Sequence, residues 1–165
     1  MDSLVPWVAT PTNIAKEMLQ IARVGVKDVV YDLGCGDARI LIMAVKEFGA
    51  KKAIGYEIRE DLYETSMHNI ESQNLQDKIT LLKKDLFDAD LSEASVITLY
   101  LSAKVNELLR PKLEREAKRG TRIVSYSFKI NAWRRNKKQT ISRSPGVSIN
   151  LYVVPQTFRA PNVAR

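Results

Sequence analysis

Asp32-Leu33-Gly34-Cys35-Gly36-Asp37 is the stretch whose reading decides the fold. It follows a run of strand character from Asp28 to Leu33, with Val29, Val30 and Tyr31 in a row. It precedes an amphipathic stretch from Ala38 to Phe48 that stops at Gly49. Two glycines between a strand and a helix let the backbone turn sharply and let a ligand approach the main chain closely. Position 39 is Arg, so the third glycine of a dinucleotide-binding fingerprint is missing. Asp32 and Asp37 flank the glycines, and carboxylates there would repel a pyrophosphate. They suit a ligand bearing an ammonium group and a sulfonium, and S-adenosyl-L-methionine carries both.

Outward from this turn the chain alternates β-branched runs with helical periodicity, the pattern of βαβ units and a parallel sheet. On the amino-terminal side, Thr10-Pro11 reads as an N-cap with proline at the first helical position. Ile14, Met18, Ile21 and Ala22 follow at helical spacing to about Arg23. On the other side come a strand over Lys52–Glu57, a helix over Asp61–Ser72 and strands over Lys78–Leu82 and Ala94–Leu101. A helical region over Lys104–Arg119 is interrupted by Pro111, which costs about 3 kcal/mol inside a helix, so the reading is a short helix and a restart. Thr121–Phe128 is a fifth strand after Gly120. Lys138–Arg143 and Val147–Val154 form a hairpin closed by Ser144-Pro145-Gly146. The predicted fold is α/β: a doubly wound, Rossmann-like sheet of seven strands, mostly parallel, with a C-terminal antiparallel hairpin. One domain spans 1–154, and 155–165 is a basic, loosely ordered tail.

In open sheets of this kind the ligand sits beyond the carboxyl ends of the strands, at the topological switch point. Glu57 ends the second strand, 21 residues after Gly36, where an acid accepts from both ribose hydroxyls. Ile58 stands beside it. Asp85 follows the third strand, where its carboxylate could accept from an adenine amino group with Leu86 packing nearby. Three acids at the ends of successive strands around a glycine turn form a set that separate loop acids would not.

These residues resemble the class I, seven-strand methyltransferases, whose first motif is commonly E/D-x-G-x-G. The likeness reaches further, through Val5-Pro6-Trp7-Val8-Ala9-Thr10-Pro11, Tyr31 to Arg39, Thr98-Leu99-Tyr100-Leu101, Leu109-Arg110-Pro111-Lys112-Leu113 and Gly120 to Ser125. Over residues 5–154 the chain is similar to the small archaeal protein-lysine methyltransferases and their mitochondrial relatives, and more distantly to the non-SET histone lysine methyltransferases. One departure is Ala38, where many relatives carry glycine; its methyl group is expected to tighten the loop without abolishing binding. The resemblance implies a protein-lysine N-methyltransferase of broad specificity, with S-adenosyl-L-methionine as cofactor. It places Trp7 and Thr10 in an N-terminal segment, 1–27, that closes over the cofactor, although a hydrophobic staple for the first helix would use the same residues.

Methyl transfer from a sulfonium to an amine is an in-line displacement that rests on positioning and a dry channel. Desolvation and the neighbouring sulfonium both lower the acceptor lysine pKa, so no dedicated general base is required. Tyr100, ending the fourth strand, is the candidate catalytic residue, an aromatic wall that can hold the amine by cation–π attraction. Enzymes acting on adenine or glutamine amides carry [D/N]-P-P-[Y/F] there, and this chain has Thr98-Leu99-Tyr100-Leu101. Tyr126, Phe128 and Trp133, at or after the fifth strand, could line the substrate channel, though aromatics are also good strand formers. His68, the sole histidine, lies within a helix away from the strand ends. With it and Cys35 alone, a zinc site is excluded.

Of 165 residues, 45% are hydrophobic and 27% charged, an ordinary globular balance. No run is apolar and long enough to span a bilayer, and no secretory signal is read, so a cytoplasmic monomer without membrane association is expected. The net charge of +7 is uneven: from Ala117 to Arg165 there are eleven Lys and Arg and no Asp or Glu. The preceding 116 residues carry 15 basic and 19 acidic side chains. Such a stretch favours polyanions. Arg134, Arg135, Lys137 and Lys138, beside Trp133 as a base-stacking ring, suggest weak non-specific nucleic-acid binding through 118–143 or lysine substrates that are themselves nucleic-acid-associated. Transfer to RNA and a non-catalytic S-adenosylmethionine-binding module stand as alternatives; the intact acids and glycines weigh against the module.

Overall fold

The structure is a computed structural model that describes residues 7–140 and 146–155, without the side chains of Lys138 and Thr140. Its elements are α1 (Thr12–Ile21), β1 (Val29–Leu33), α2 (Arg39–Lys46), β2 (Lys52–Tyr56), α3 (Glu60–Ser72) and β3 (Ile79–Leu82). A 3₁₀ turn (Leu86–Asp88), β4 (Val96–Leu99), α4 (Ala103–Glu116), β5 (Arg122–Tyr126), β6 (Lys137–Thr140) and β7 (Ser148–Val153) complete them. The seven strands form one sheet in the order β3-β2-β1-β4-β5-β7-β6. β1 to β5 run parallel, and β7 joins β5 antiparallel with β6 at the edge. This is the predicted sheet. The predicted turn residues Ser144 and Pro145, the end of the first hairpin strand at Arg143, Val5-Pro6 and the tail after 155 lie outside the described residues.

Alternate residues of each strand feed opposite faces. Val30, Ala53, Val96, Val124 and Ile149 pack under α1, α2 and α3, with Met18, Leu19, Leu41 and Ile70 filling that layer. Tyr31, Ile54, Ile97, Ile123 and Tyr152 face the other way, toward Leu109 and Leu113 of α4. The β3–β4 connection has no long helix; Ala89, Leu91 and Ala94 cover that part of the second face. The order reverses between β1 and β4, which opens the crevice at their carboxyl ends.

Two local expectations are corrected. Pro111 does not divide α4, which is one continuous helix. Pro111 is solvent-exposed, so water can satisfy the carbonyl its missing N–H leaves behind. Leu109 and Leu113, both fully buried, hold the helix on either side, and each is worth about 1.5–3 kcal/mol, enough to offset the proline. Thr10 is not the cap of α1. Pro11 occupies the N-cap position and no side chain caps that end.

At the amino-terminal edge of the sheet, the Arg122 guanidinium joins three elements. It donates to Asp28, to the Ala22 carbonyl and, at 3.3 Å, to the Arg23 carbonyl. Asp28 also accepts from Ser95 Oγ at 2.8 Å and Gly25 N–H at 2.8 Å. Arg122→Ala leaves a largely buried carboxylate and helix-end carbonyls without their donor. It is expected to cost about 2–4 kcal/mol in urea unfolding, and a loss within 0.5 kcal/mol would show that solvent replaces the guanidinium.

Candidate active site

The carboxyl edge of the parallel sheet assembles the residues singled out in the sequence. Asp32 lies in β1, Glu57 directly after β2, Asp85 three residues after β3, Tyr100 directly after β4, and Tyr126 ends β5. Gly34 and Gly36 both take positive φ, +79° and +59°, and a Cβ on Gly36 would overlap the Trp7 indole. Glycine is therefore demanded by backbone and by space at Gly36. Trp7 thus packs against the loop at Gly36. Thr10 is buried and reaches the loop through its carbonyl, which accepts from Arg39 Nη1 at 2.9 Å.

Glu57 is buried and fully engaged with backbone. Its Oε1 accepts from Gly36 N–H and its Oε2 from Arg59 N–H, each at 3.0 Å. Each oxygen keeps a further lone pair for a ligand hydroxyl. Ile58 beside it is exposed, an apolar surface at the rim. Asp85 caps the 3₁₀ turn by accepting from Phe87 N–H at 3.0 Å through Oδ1. Leu86 packs partly buried against the second core face.

Asp32 and Asp37 differ in state. Asp32 is buried and accepts from Thr98 Oγ1 at 2.9 Å. Burial pushes its carboxyl up to about 7 against the pull of Thr98, with Glu57 and Asp37 adding to the rise. For Asp37, burial also acts upward, but the Arg39 guanidinium outweighs it and holds the carboxyl below its ordinary value. Arg39 grips both Asp37 oxygens, so this acid is not left open for a ligand's ammonium group as the sequence reading placed it. Burial raises the Cys35 thiol well above its ordinary value, which makes it a packing residue.

Three residues that the sequence reading passed over fasten this loop. Ser66 Oγ donates to the Gly36 carbonyl, Asn69 Nδ2 donates to the Asp37 carbonyl at 3.0 Å, and Arg39 ties Asp37 to Thr10. Ser66 carries a signal, because it interrupts the buried stripe Leu62–Ser66–Ile70 of α3. Arg39 carries none. Ala38 sits at φ +68°, a conformation that costs an alanine about 1–2 kcal/mol. Its fully buried methyl group returns about 0.8 kcal/mol, which offsets part of that cost.

Tyr100 and Tyr126 pair at the ends of β4 and β5, with ring centroids 4.6 Å apart at 44°. They adjoin the loop, since a Cβ on Gly34 would lie 3.3 Å from Leu101 Cδ2. Burial and then Tyr100 push the Tyr126 phenol above its ordinary value. Phe128 is exposed just beyond. Trp133 does not join this group. It is buried on the α4 face, edge-on to Tyr152 at 5.4 Å, with its indole N–H donated to Glu114 at 2.8 Å. It neither lines a channel at Tyr100 nor presents a ring to a base, because a large aromatic with a satisfied N–H gains more from the core. His68 is exposed on α3, away from the strand ends.

A glycine loop after β1, acids at the tips of three adjacent strands and an antiparallel β7 define a class I methyltransferase fold. The ANTKMT methyltransferase domain matches residues 32–137, and the chain belongs to that family. A protein-lysine N-methyltransferase of Saccharolobus islandicus (strain REY15A) is 44% identical over 153 residues, 91% of this chain and 94% of its own. The adenine nucleotide translocase lysine N-methyltransferase of Mus musculus is 29% identical over 78% of this chain, which spans 56% of that longer protein. Among solved structures, an RNA methyltransferase from Salinibacter ruber in complex with S-adenosyl-L-homocysteine superposes with TM-score 0.86. It is 36% identical, with 94% of this chain and 97% of that one covered.

The Asp32 environment makes a pH prediction. A carboxyl raised in the folded state contributes stability that is present below its unfolded value and lost as pH rises through about 7. Urea unfolding of the ligand-free protein should show wild type losing stability relative to Asp32→Asn between roughly pH 4 and pH 7. Parallel profiles for the two proteins would contradict the buried-acid assignment.

Proposed function

We propose that this chain transfers methyl groups from S-adenosyl-L-methionine to lysine side chains of proteins. The observation that carries the reading is the Tyr100–Tyr126 pair, set at the ends of β4 and β5 beside a glycine loop ringed by Asp32, Glu57 and Asp85. The 44% identity with a protein-lysine N-methyltransferase supports the acceptor class. The residues fit the cofactor: Glu57 has lone pairs for ribose hydroxyls, Asp85 can accept from the adenine amino group, and Ile58 and Leu86 offer apolar cover. The glycine turn at Gly34 and Gly36 lies beside these acids with Trp7 packed against Gly36, so Trp7 would have to share or yield that space when the methionine part binds.

S-adenosyl-L-methionine supplies an electrophilic methyl group on a sulfonium. The protein's part is to hold the acceptor nitrogen in line and strip it of water. Tyr100 and Tyr126 wall the approach and attract the lysine while it is still charged. Desolvation between the rings would favour the neutral amine, leaving its lone pair free to take the methyl group that the donor would supply. The lysine proton is lost to solvent before transfer. A cation near Asp32 favours its ionised form, opposing the burial that raises it.

A second reading, transfer to RNA, is favoured by the Salinibacter structure and by the acid-free stretch after Ala117. On this reading the chain also binds nucleic acid weakly through 118–143. Part of that charge is committed elsewhere: Arg122 is held by Asp28, and Lys118 donates to the Glu93 carbonyl at 3.4 Å. Incubation with radiolabelled donor and cell extract, followed by protease or RNase, decides between protein and RNA.

Two measurements test the principal reading. S-adenosyl-L-methionine should raise the melting temperature with dose, by about 2.7 kcal/mol of stabilisation at a hundredfold excess over Kd. Glu57→Ala should remove most of that rise, and a full rise in the variant would refute the ribose assignment. Tyr100→Ala should slow methylation of a lysine peptide at least about tenfold while keeping the cofactor-induced rise. Mass spectrometry that finds methyl groups only on arginine, glutamine or nucleobases would overturn the lysine acceptor.

A further inference from the structure

Past the tyrosine pair, the end of β5 turns into a second concavity. Ser127 takes φ +70°, and Phe128 N–H donates back to the Tyr126 carbonyl at 2.8 Å, a tight turn that side-chain-bearing residues rarely adopt. Four bonds over-determine it. Ser127 N–H donates to the Ser148 carbonyl at 2.8 Å, and Asn106 Nδ2 donates to the Phe128 carbonyl at 2.9 Å. Ile130 N–H donates to the Tyr152 hydroxyl and Asn131 N–H to Glu107 Oε1, both at 2.9 Å. The turn borders a pocket of about 400 Å³ whose polar lining includes Ser127, Lys129, Asn131, Arg135 and Ser148.

The charge of this pocket is one-sided. Arg135 Nη1 donates at 3.1 Å to Oδ1 of the fully buried Asn150, which also accepts from Ser148 Oγ at 3.2 Å. The guanidinium is thus oriented by a neutral partner and keeps other N–H donors in hand. Neither Arg135 nor the exposed Lys129 forms an ion pair with a carboxylate among the described residues. Glu107, the nearby acid, gives Oε1 to Asn131 N–H and Oε2 to Arg110. Two cations therefore line a cavity that begins at Ser127, the residue next to Tyr126 of the aromatic pair. On the reading that the acceptor is a lysine, they would repel it unless an anion came with it.

We propose that this pocket binds the carboxylate of an Asp or Glu side chain of the protein substrate, close to the target lysine. The enzyme then selects lysines in acidic surroundings. Arg135 presents the oriented donors, Lys129 adds charge, and Ser127, Asn131 and Ser148 supply polar walls. The substrate carboxylate screens its own lysine from the two cations while the amine enters between Tyr100 and Tyr126. This rests on the lysine reading and names the substrate feature that reading leaves open.

The test uses the full chain, S-adenosyl-L-methionine and synthetic peptides with one lysine and one glutamate, walked residue by residue away from it on either side. Each peptide is paired with its glutamine counterpart. Wild type should favour glutamate at one or a few positions by about fivefold in kcat/KM. Arg135→Gln should bring that ratio toward one, and Lys129→Gln, which touches no buried network, should lower it. Arg135→Glu should reverse the preference toward arginine-bearing peptides. Equal methylation of glutamate and glutamine peptides by wild type would overturn the pocket assignment while leaving the lysine acceptor standing. A preference unchanged in all three variants would overturn it equally. Failure to methylate any peptide, with the donor still bound, would overturn the lysine reading and this proposal with it. Inhibition by an RNA oligonucleotide that falls in the same variants, without any glutamate preference, would assign the pocket to phosphate instead.

Discussion

A carboxylate taken out of water has to find donors, and Glu57 finds them in two backbone N–H groups from different parts of the chain. One belongs to Gly36 in the loop after β1, the other to Arg59 at the start of α3. This one side chain joins the first βαβ unit to the second at the carboxyl edge of the sheet. Ser66 and Asn69 then reach back from α3 to the carbonyls of Gly36 and Asp37, so the loop is held by both its donors and its acceptors. Preorganisation of this kind lets a binding loop hold its shape without a ligand.

The constraint carries outward to the N-terminal segment. Arg39, first residue of α2, has its guanidinium fixed by Asp37 and spends a further N–H on the Thr10 carbonyl. Trp7 then lies against Gly36, where only a hydrogen atom leaves room for it. Cover and loop are therefore one mechanical unit, and Arg39 is a positioning residue within it. Asp37 is compensated by a guanidinium, whereas Asp32 accepts from Thr98 and is raised by burial and by the neighbouring Glu57 and Asp37. The site can thus be acidic in composition while Asp32 holds its proton more readily than a free carboxyl does.

Charge is distributed unevenly along the sheet edge. Acids gather at the ends of β1, β2 and β3, whereas Arg135 and Lys129 lie beyond β5. The tyrosine pair stands between the two regions. This order follows from the topology: parallel strands bring their carboxyl ends to one edge, and antiparallel β7 brings the start of its strand, at Ser148, to the same edge.

Much of this was legible in the chain itself. Alternation of apolar runs and turns is a local property, so the strands and the main helices begin within two residues of where periodicity puts them. The positions of Asp32, Glu57, Asp85 and Tyr100 follow from strand ends alone. The misreadings concern partners distant in sequence. Pro111 looked like a break because propensity is local, whereas the leucines that hold α4 straight gain their energy from the opposite sheet face. Thr10 resembled a cap, but Arg39, 29 residues on, claims its carbonyl. Trp133 sat among basic residues in the chain and lies in the core because Glu114 and Tyr152 meet it there. Residue type and spacing determined the sheet, the glycine turn and the acids at its tips. Only the tertiary structure decided which acids are already paired, which aromatics stand at the strand ends and which lie in the core, and where cations without an acid partner gather, because hydrogen bonds and ion pairs depend on distances that the folded chain alone defines.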